Sequence, residues 1–189
     1  YERVYEEVMA MPALKGRKPP HDKFPGAHTT TTIEALMPDG KSVQGATSHY
    51  LGTSFAEAFD ITYADEDEAD RTAHTTSWGL SWRAMGALII THSDDQGLVL
   101  PPALAPEQVV IVPIWQEDTK DDVLGYAEAI RDDLDEAGIR VHLDDRENRN
   151  PGFKYNEWEL KGVPLRIEVG PHEVDDDEVT LVHRPDGEN

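Results

Sequence analysis

Hydrophobic and polar residues follow a strand-like pattern in the first half of the chain. Residues 29–37 and 42–49 are rich in β-branched residues, and a turn sequence at 38–41 separates them. Two such runs around a turn predict a β-hairpin. A third extended run at 72–80 leads into an apolar segment at 83–91, which we interpret as a largely buried helix. The first half therefore predicts an antiparallel sheet with few helices.

The second half has the pattern of an open α/β sheet. Residues 109–114 are continuously apolar, which is typical of a strand covered on both faces. The next segment carries an apolar stripe at helical spacing, with Thr119 as its N-cap and Gly138 as its stop. A strand at 139–143 completes a β-α-β unit. We further predict a helix at 153–161 and strands at 163–169 and 178–183.

Shorter segments and a domain boundary complete the predicted architecture. Residues 1–10 have helical spacing, residues 15–18 form a basic run that we interpret as a loop, and residues 51–59 predict a short helix. The proline-rich stretch at 101–106 separates the two patterns. The fold class is therefore α+β to α/β. We predict an antiparallel-sheet domain at 1–105 and a mixed-sheet α/β domain at 106–189.

Charge is the most unusual property of the composition. The 189 residues include 38 acidic and 17 basic side chains, for a net charge of −21. Because the acidic residues alternate with Val, Ile and Leu in periodic segments, we expect a folded protein rather than a disordered one. Abundant Asp and scarce Lys indicate a cytoplasm rich in salt. At molar salt the Debye length is about 3 Å, so the acidity is neither evidence for a nucleic-acid partner nor against one.

Generic catalytic signatures are sparse. The chain has no cysteine, which excludes disulfides and thiolate metal sites. No apolar stretch approaches the roughly 18 residues that suggest a membrane span. The eight histidines do not occur at the tight spacing of a metal site, so no zinc is expected. Neither a phosphate-binding loop nor a nucleophile elbow is present.

Polar side chains nevertheless concentrate in the predicted sheet, at residues 30–34, 44–49 and 77–83. Arg83 opens an otherwise apolar helix, and an unpaired guanidinium is costly to desolvate. One interpretation pairs Arg83 with a core carboxylate such as Glu34. The other gives Arg83 a phosphate ligand, because its planar fork of donors matches phosphate oxygens.

Seven blocks in one order cover essentially the whole chain: residues 7–18, 23–27, 32–35, 44–52, 76–81, 97–102 and 156–164. They include the sequences EVMAMPALKGRK, QGATSHYLG and NEWELKGVP. Together they resemble prolyl-tRNA synthetases of the archaeal and eukaryotic type. The resemblance implies the last part of a class II catalytic core, including motif 3, followed by an anticodon-binding domain.

The resemblance also implies a reaction in two steps. The carboxylate of L-proline attacks the α-phosphate of ATP to give prolyl-adenylate and pyrophosphate, and the prolyl group then passes to the 3′ end of tRNA(Pro). Such chemistry depends on positioning and charge neutralisation. We expect ATP and Mg²⁺ as cofactors, a homodimer in the full-length protein, a cytoplasmic location and no membrane association.

For the nucleotide site, the resemblance assigns Gln44, Thr47, Ser81 and Arg83 to ATP. Arg83 matches the catalytic motif 3 arginine on the γ-phosphate side of a bent ATP. Gln44 matches the glutamine at the ATP–magnesium site, so it is also the expected metal contact. Glu34 lies on the same sheet, where we expect a structural role.

For the other two ligands, the resemblance assigns Phe24 and His49 to the proline pocket. It assigns Tyr155, Glu159 and Arg166 to the guanines of the proline anticodon. An aromatic ring for stacking and a carboxylate for a guanine edge are suited to single-stranded RNA. The alternative for Glu159 is a solvated position on a helix surface.

Several features depart from the family pattern. Trp82 replaces a small residue beside the ATP arginine, and His172 replaces a basic residue near the RNA contacts. Motifs 1 and 2 and the carboxy-terminal domain are missing, and both ends of the chain have the pattern of cut elements. We therefore expect a fragment that does not aminoacylate alone. Two alternatives stay open: a non-catalytic tRNA-binding relative, and a synthetase for threonine, glycine or histidine.

Overall fold

The computed structural model describes residues 1–185, and contacts divide the chain into two compact units. The first unit is Tyr1–Thr91, and the second begins at His92. Each unit is built around its own sheet. No helix in the described part of the chain combines the length and the apolar character that a membrane crossing requires.

The proline-rich stretch at 101–106 packs within the second unit. The Arg140 guanidinium donates hydrogen bonds to the carbonyl oxygens of Pro102 and Ala105, at 2.7 and 3.0 Å. The compact division therefore precedes the proline-rich stretch at 101–106, whereas the predicted domain boundary lies at its end.

In chain order, the described elements of the first unit are a π-helical turn (Val4–Val8), β1 (Ala13–Arg17), β2 (Thr29–Leu36), β3 (Ser42–Gly52), α1 (Ser54–Ala58), β4 (Thr62–Ala64), β5 (Asp70–Thr72), β6 (Thr75–Leu80) and α2 (Arg83–His92). Strands β1, β2, β3 and β6 form an antiparallel sheet in that order, and β4 pairs with β5. The predicted antiparallel hairpin is confirmed as β2 and β3.

Three predictions for the first unit are wrong. Residues 15–18 lie mostly in strand β1 rather than in a loop; the side chains of β1 are largely exposed, so no hydrophobic alternation marks it. The helix predicted at 51–59 is shorter, because residues 51 and 52 continue β3. Helix α2 is not largely buried, since only one stripe of it packs. Its buried residues are Ala84, Ala87 and Leu88, and its exposed apolar residues include Met85, Ile89 and Ile90.

The described elements of the second unit are β7 (Val109–Pro113), α3 (Lys120–Glu136), β8 (Val141–Leu143), α4 (Pro151–Lys161), β9 (Leu165–Val169), α5 (Pro171–Asp176) and β10 (Thr180–His183). The sheet order is β10-β9-β7-β8. Strand β7 is parallel to β8 and β9, and β10 is antiparallel to β9. The predicted mixed-sheet α/β architecture is therefore confirmed.

Strand β7 is covered on both faces, as its apolar run predicted. On one face, Ile111 packs with Val123 of α3 in an apolar cluster. On the other face, Val110 and Val112 pack with Trp158 of α4. Because β7 and β8 are parallel, the loops that follow them lie at the same edge of the sheet, and α3 and α4 continue from there to opposite faces.

Both ends of α4 follow the capping chemistry expected of helix termini. The Asn150 side chain accepts a hydrogen bond from the Phe153 amide at 2.8 Å and caps α4, and Gly162 ends α4 at φ +74°. Thr119 precedes α3, but its hydroxyl bonds to Gln116 and caps no α3 amide. Helix α5 was not predicted from the sequence, because its single turn and a half is mostly polar.

Candidate functional site

Four residues assigned to nucleotide binding line one groove of the first unit, with a volume of about 360 Å³. Gln44 and Thr47 lie on β3, whereas Ser81 follows β6 and Arg83 begins α2. Thr47 pairs with Gly79 in the sheet, which brings the two segments side by side. The groove thus presents an arginine, an amide and two hydroxyl groups, which are suitable partners for phosphate and nucleoside oxygens.

Arg83 is oriented by the backbone of β3 rather than by an acidic side chain. One of its terminal guanidinium nitrogens donates to the Gln44 carbonyl oxygen at 3.2 Å. Glu34 accepts a hydrogen bond from the Ser42 hydroxyl at 3.2 Å and lies 3.8 Å from the Lys18 ammonium. The pairing of Arg83 with Glu34 is therefore absent, and within residues 1–185 Arg83 has no ion-pair partner. Its charge is available to an anion in the groove.

Tyr5 packs against Gly45, a residue of β3 that lines this groove, and the sequence did not reveal this contact. The Tyr5 side chain is fully buried, and a Cβ added at Gly45 would lie 1.7 Å from its hydroxyl oxygen. Burial raises the pKa of the Tyr5 hydroxyl, and the charge of Arg83 partly offsets the rise. Gly45 is therefore needed where β3 passes over the tyrosine ring, beside Gln44.

The two residues assigned to proline binding lie against each other. The ring centroids of Phe24 and His49 are 4.9 Å apart, and the Phe55 ring stacks with Phe24 at a centroid distance of 6.1 Å. The His49 Nδ1 atom forms a hydrogen bond with the Thr30 hydroxyl at 2.9 Å, which restricts rotation of the imidazole. An apolar wall beside a restrained polar ring suits a small cyclic amino acid.

Trp82 does not enter the nucleotide groove. Its side chain is 84% exposed, and it is absent from the residues that line the groove. Trp78 does line the groove, and it was not assigned from the sequence. The Trp82 side chain therefore takes up no space in this groove.

In the second unit, the three residues assigned to the anticodon form a connected cluster. The Arg166 guanidinium lies 4.1 Å from the centre of the Tyr155 ring and 3.0 Å from a Glu159 carboxylate oxygen. Both Tyr155 and Glu159 belong to α4, whereas Arg166 belongs to β9. Glu159 is therefore neither isolated nor fully solvated, since its side chain is 30% exposed and paired.

Glu168 is a fourth member of the cluster, and the sequence did not point to it. One carboxylate oxygen accepts from the Tyr155 hydroxyl at 3.0 Å, and the other accepts from Arg166 Nε at 2.9 Å. Burial, together with the nearby charge of Glu168, raises the pKa of the Tyr155 hydroxyl above its usual value. Tyr155 therefore remains a hydrogen-bond donor at neutral pH.

A buried carboxylate ties α4 to the end of β8. Asp144 is fully buried and accepts hydrogen bonds from the Arg146 guanidinium at 2.7 and 2.8 Å and from the Trp158 indole at 2.8 Å. The Lys154 ammonium donates to the Asp144 carbonyl at 2.7 Å. Burial alone would raise the pKa of Asp144, but these partners outweigh it and lower the pKa to about 2.

A second groove lies where the loops after β7 and β8 meet, and its volume is about 290 Å³. Parallel sheets bind ligands at such positions, where successive helices leave to opposite faces. Its lining includes Trp115 and the cations Lys120, Arg146, Arg149 and Lys154. The lining also contains Glu117 and Glu147, and Lys120 and Arg146 are paired with Glu147 and Asp144 at 2.6 and 2.7 Å, so much of this positive charge is neutralised locally.

Comparison with known proteins matches both units. Residues 108–189 match the family described as the anticodon binding domain. The chain is 81% identical over 188 residues to a proline–tRNA ligase of Haloarcula marismortui, covering 100% of this chain and 39% of the relative. It is 78% identical to the proline–tRNA ligase of Halorubrum lacusprofundi, with 100% and 38% coverage. The proline–tRNA ligase of Salinibacter ruber is 49% identical, with 97% and 38% coverage.

The sources of these relatives agree with the charge. Haloarcula and Halorubrum are halophilic hosts, as the acidic composition predicted. The chain spans about two fifths of the length of the curated relatives that it matches. The matched region includes both units.

Proposed function

We propose that this chain, which is 81% and 78% identical to two proline–tRNA ligases, is part of such a ligase and that the whole protein joins L-proline to tRNA(Pro) with ATP. One observation supports this above the others: Gln44, Thr47, Ser81 and Arg83 converge on one groove. We assign residues 1–105 to the catalytic core and residues 106–189 to the anticodon-binding domain. On family resemblance alone, we also propose a cytoplasmic homodimer.

Activation of proline is the first proposed step. A carboxylate oxygen of proline attacks the α-phosphorus of ATP, the bond from that phosphorus to the bridging oxygen breaks, and pyrophosphate leaves with the electron pair. Arg83 binds phosphate oxygens on the leaving side, where negative charge accumulates. Thr47 and Ser81 contribute hydrogen bonds that hold the nucleotide in line. Among residues 1–185, Arg83 has no acidic partner, so its guanidinium is free for this contact.

Magnesium fits the nucleotide groove as a companion of ATP. Within residues 1–185, no group of three or more His, Asp or Glu side chains is arranged to hold a metal ion. Magnesium commonly takes one or two protein ligands together with substrate phosphates and water. Gln44 would supply a side-chain oxygen, and the phosphates of ATP would supply most of the remaining ligands. When bound, the ion would neutralise phosphate charge.

Phe24 and His49 form the proposed contact for the amino acid. The proline ring would pack on Phe24, and His49 would approach the polar end of the substrate, with Thr30 restraining the imidazole. This arrangement favours proline over the threonine, glycine or histidine alternatives, because none of those side chains is a saturated ring.

The second unit would read guanine in the anticodon through Glu159 and Arg166. One Glu159 oxygen accepts from Arg166, which leaves the other available for the N1–H and N2–H₂ donors of a guanine. The guanidinium N–H groups of Arg166 that are not bonded to Glu159 or Glu168 would donate to acceptors of a neighbouring nucleotide. The Tyr155 ring would provide a stacking surface beside them. The transferred prolyl group would then go to the 3′ end of the bound tRNA.

The decisive test is proline-dependent ATP–pyrophosphate exchange by the full-length protein in molar potassium chloride. We expect exchange with proline and none with threonine, glycine or histidine. Arg83→Ala should lower the exchange rate by about 10²–10³-fold, because it removes a charged donor at the developing charge. A Trp82→Ala variant is the matched control, since its exposed side chain lies outside the groove, and its rate should stay within about twofold of the wild type.

Two outcomes would contradict the proposal. Full activity of the Arg83→Ala variant would refute the role of that residue. No exchange with any amino acid, from folded full-length protein, would favour the non-catalytic tRNA-binding relative instead.

A further inference from the structure

We propose that Glu168 is a positioning residue that keeps the guanine-reading carboxylate of Glu159 available. The proposal rests on the anticodon function proposed for Tyr155, Glu159 and Arg166. In this arrangement Glu168 touches no nucleotide. It acts by holding Arg166 and Tyr155 in one geometry.

The two carboxylate oxygens of Glu168 have separate partners. One accepts from the Tyr155 hydroxyl at 3.0 Å, and the other accepts from Arg166 Nε at 2.9 Å. Arg166 and Glu168 alternate along β9, opposite Val110 and Val112 of β7, so both side chains project to the face covered by α4. The side chain of Glu168 is only 18% exposed and that of Arg166 only 12%. Water therefore competes weakly with these contacts.

Arg166 is consequently shared between two carboxylates. Its Nε donates to Glu168, whereas Nη1 donates to a single oxygen of Glu159 at 3.0 Å. An unshared guanidinium and carboxylate favour a bidentate pairing through two parallel hydrogen bonds. Without Glu168, Arg166 would be free to engage both oxygens of Glu159. Guanine recognition would then lose the carboxylate oxygen on which it depends.

Tyr155 is restrained by the same carboxylate. Its hydroxyl donates to Glu168, and its ring carries the Arg166 guanidinium at 4.1 Å. The hydrogen bond fixes the edge of the ring, and the cation–π contact fixes one face. Removing Glu168 would remove its hydrogen bonds to Tyr155 and to Arg166 together, so the positions of these two side chains should change together.

The experiment uses full-length protein in molar potassium chloride and measures kcat and KM for tRNA(Pro) transcripts. We expect Glu168→Ala to raise the KM for tRNA by about 10–100-fold, as the loss of charge-assisted hydrogen bonds implies. Proline-dependent ATP–pyrophosphate exchange, which needs no tRNA, should stay within about twofold. Glu168→Gln keeps one acceptor oxygen, so it should recover part of the lost affinity. Glu128→Ala, an exposed acid on α3, is the matched charge control.

Guanine discrimination separates positioning from a general loss of stability. Transcripts with inosine in place of each anticodon guanine lack the N2 amino group that Glu159 would contact. The wild type should prefer guanine over inosine, and Glu168→Ala should reduce that preference towards one. A merely structural effect would weaken both transcripts by the same factor. If Glu168→Ala fails to fold by circular dichroism, the same ratio measured on Glu168→Gln decides the matter.

Failure of this inference is distinguishable from failure of the proposed function. If Glu159→Ala raises the KM for tRNA but both Glu168 variants keep the wild-type KM and guanine preference, the positioning role is refuted and the anticodon site stands. If Glu159→Ala and Arg166→Ala also leave tRNA binding unchanged, the anticodon site itself is refuted, and the inference falls with it.

Discussion

At the scale of single residues, Asp144 has the most demanding environment in the second unit. Its carboxylate is fully buried, and it stays charged only because Arg146, Trp158 and Lys154 surround it. A buried charge is costly when its partners are removed, whereas a complete network is well tolerated. The same network joins the end of β8 to α4, the helix that carries Tyr155 and Glu159.

Asp144→Asn should destabilise the protein by about 3 kcal/mol, because Arg146 and Lys154 would lose their charged partner. The folded pKa of about 2 lies below the roughly 3.9 of an unfolded Asp, so Asp144 stabilises the fold above about pH 4. That contribution is lost as the pH falls from about 4 to about 2. Urea unfolding of the wild type and of Asp144→Asn in molar potassium chloride should therefore give free energies of unfolding whose difference becomes smaller as the pH is lowered. A constant difference across this range would contradict the assigned pKa.

At the scale of elements, the end of α4 is shaped by the close approach of two backbones. Gly162 has φ +74°, and a Cβ there would lie 2.6 Å from the Leu98 Cβ. Gly97 also lies against the backbone of α4, since a Cβ at Gly97 would be 2.6 Å from the Leu160 Cα. Residues 97 and 98 therefore pack on the end of α4 with little space for side chains.

A pair of glycine substitutions separates backbone strain from this packing. Gly138 and Gly162 both end helices with φ near +75°, at +79° and +74°, but a Cβ at Gly138 meets no atom within 4 Å. Gly138→Ala should cost about 1 kcal/mol for the left-handed conformation alone. Gly162→Ala should cost an additional ~1–3 kcal/mol for overpacking. If urea unfolding shows the same loss of unfolding free energy for both variants, Leu98 moves aside without an energetic penalty and the overpacking prediction is wrong.

Elements with a repeating hydrophobic pattern were predictable, and those without one were not. The hairpin and β7 were predicted because burial of alternating or continuous apolar residues leaves a mark in the sequence. Strand β1 was mistaken for a loop because its side chains are largely exposed, and only its backbone pairs with β2. Glu168 and Tyr5 were missed for a related reason, since their importance arises from neighbours that are distant in sequence.

At the scale of the whole molecule, the net charge of −21 implies strong electrostatic repulsion between parts of the chain. The acidic residues are spread over helices and loops of both units, for example in the first turn of α3. Salt screens such repulsion, with a Debye length of about 3 Å at 1 M and about 30 Å at 0.01 M. We therefore expect the folded state to require enough salt to screen the repulsion between these charges.

Dialysis from molar potassium chloride to low ionic strength should reduce the helical circular dichroism signal, because unscreened repulsion favours expanded states. Return to molar salt should restore the signal. As a control, a variant with several exposed acids of α3 changed to their amides should keep its structure at lower salt. An undiminished signal at low ionic strength would contradict the halophilic interpretation.

By itself, the sequence determined three features of this protein: an antiparallel-sheet part followed by a mixed-sheet α/β part, an acidic composition, and the blocks that resemble proline–tRNA ligases. These features depend on periodicity, composition and local order, which are written along the chain. Only the tertiary structure decided that Arg83 faces Gln44 rather than Glu34, that Trp82 leaves the groove, and that Glu168 supports Arg166. Such contacts join residues through strand register and helix packing, and a linear pattern does not specify which of several possible partners a charged side chain takes.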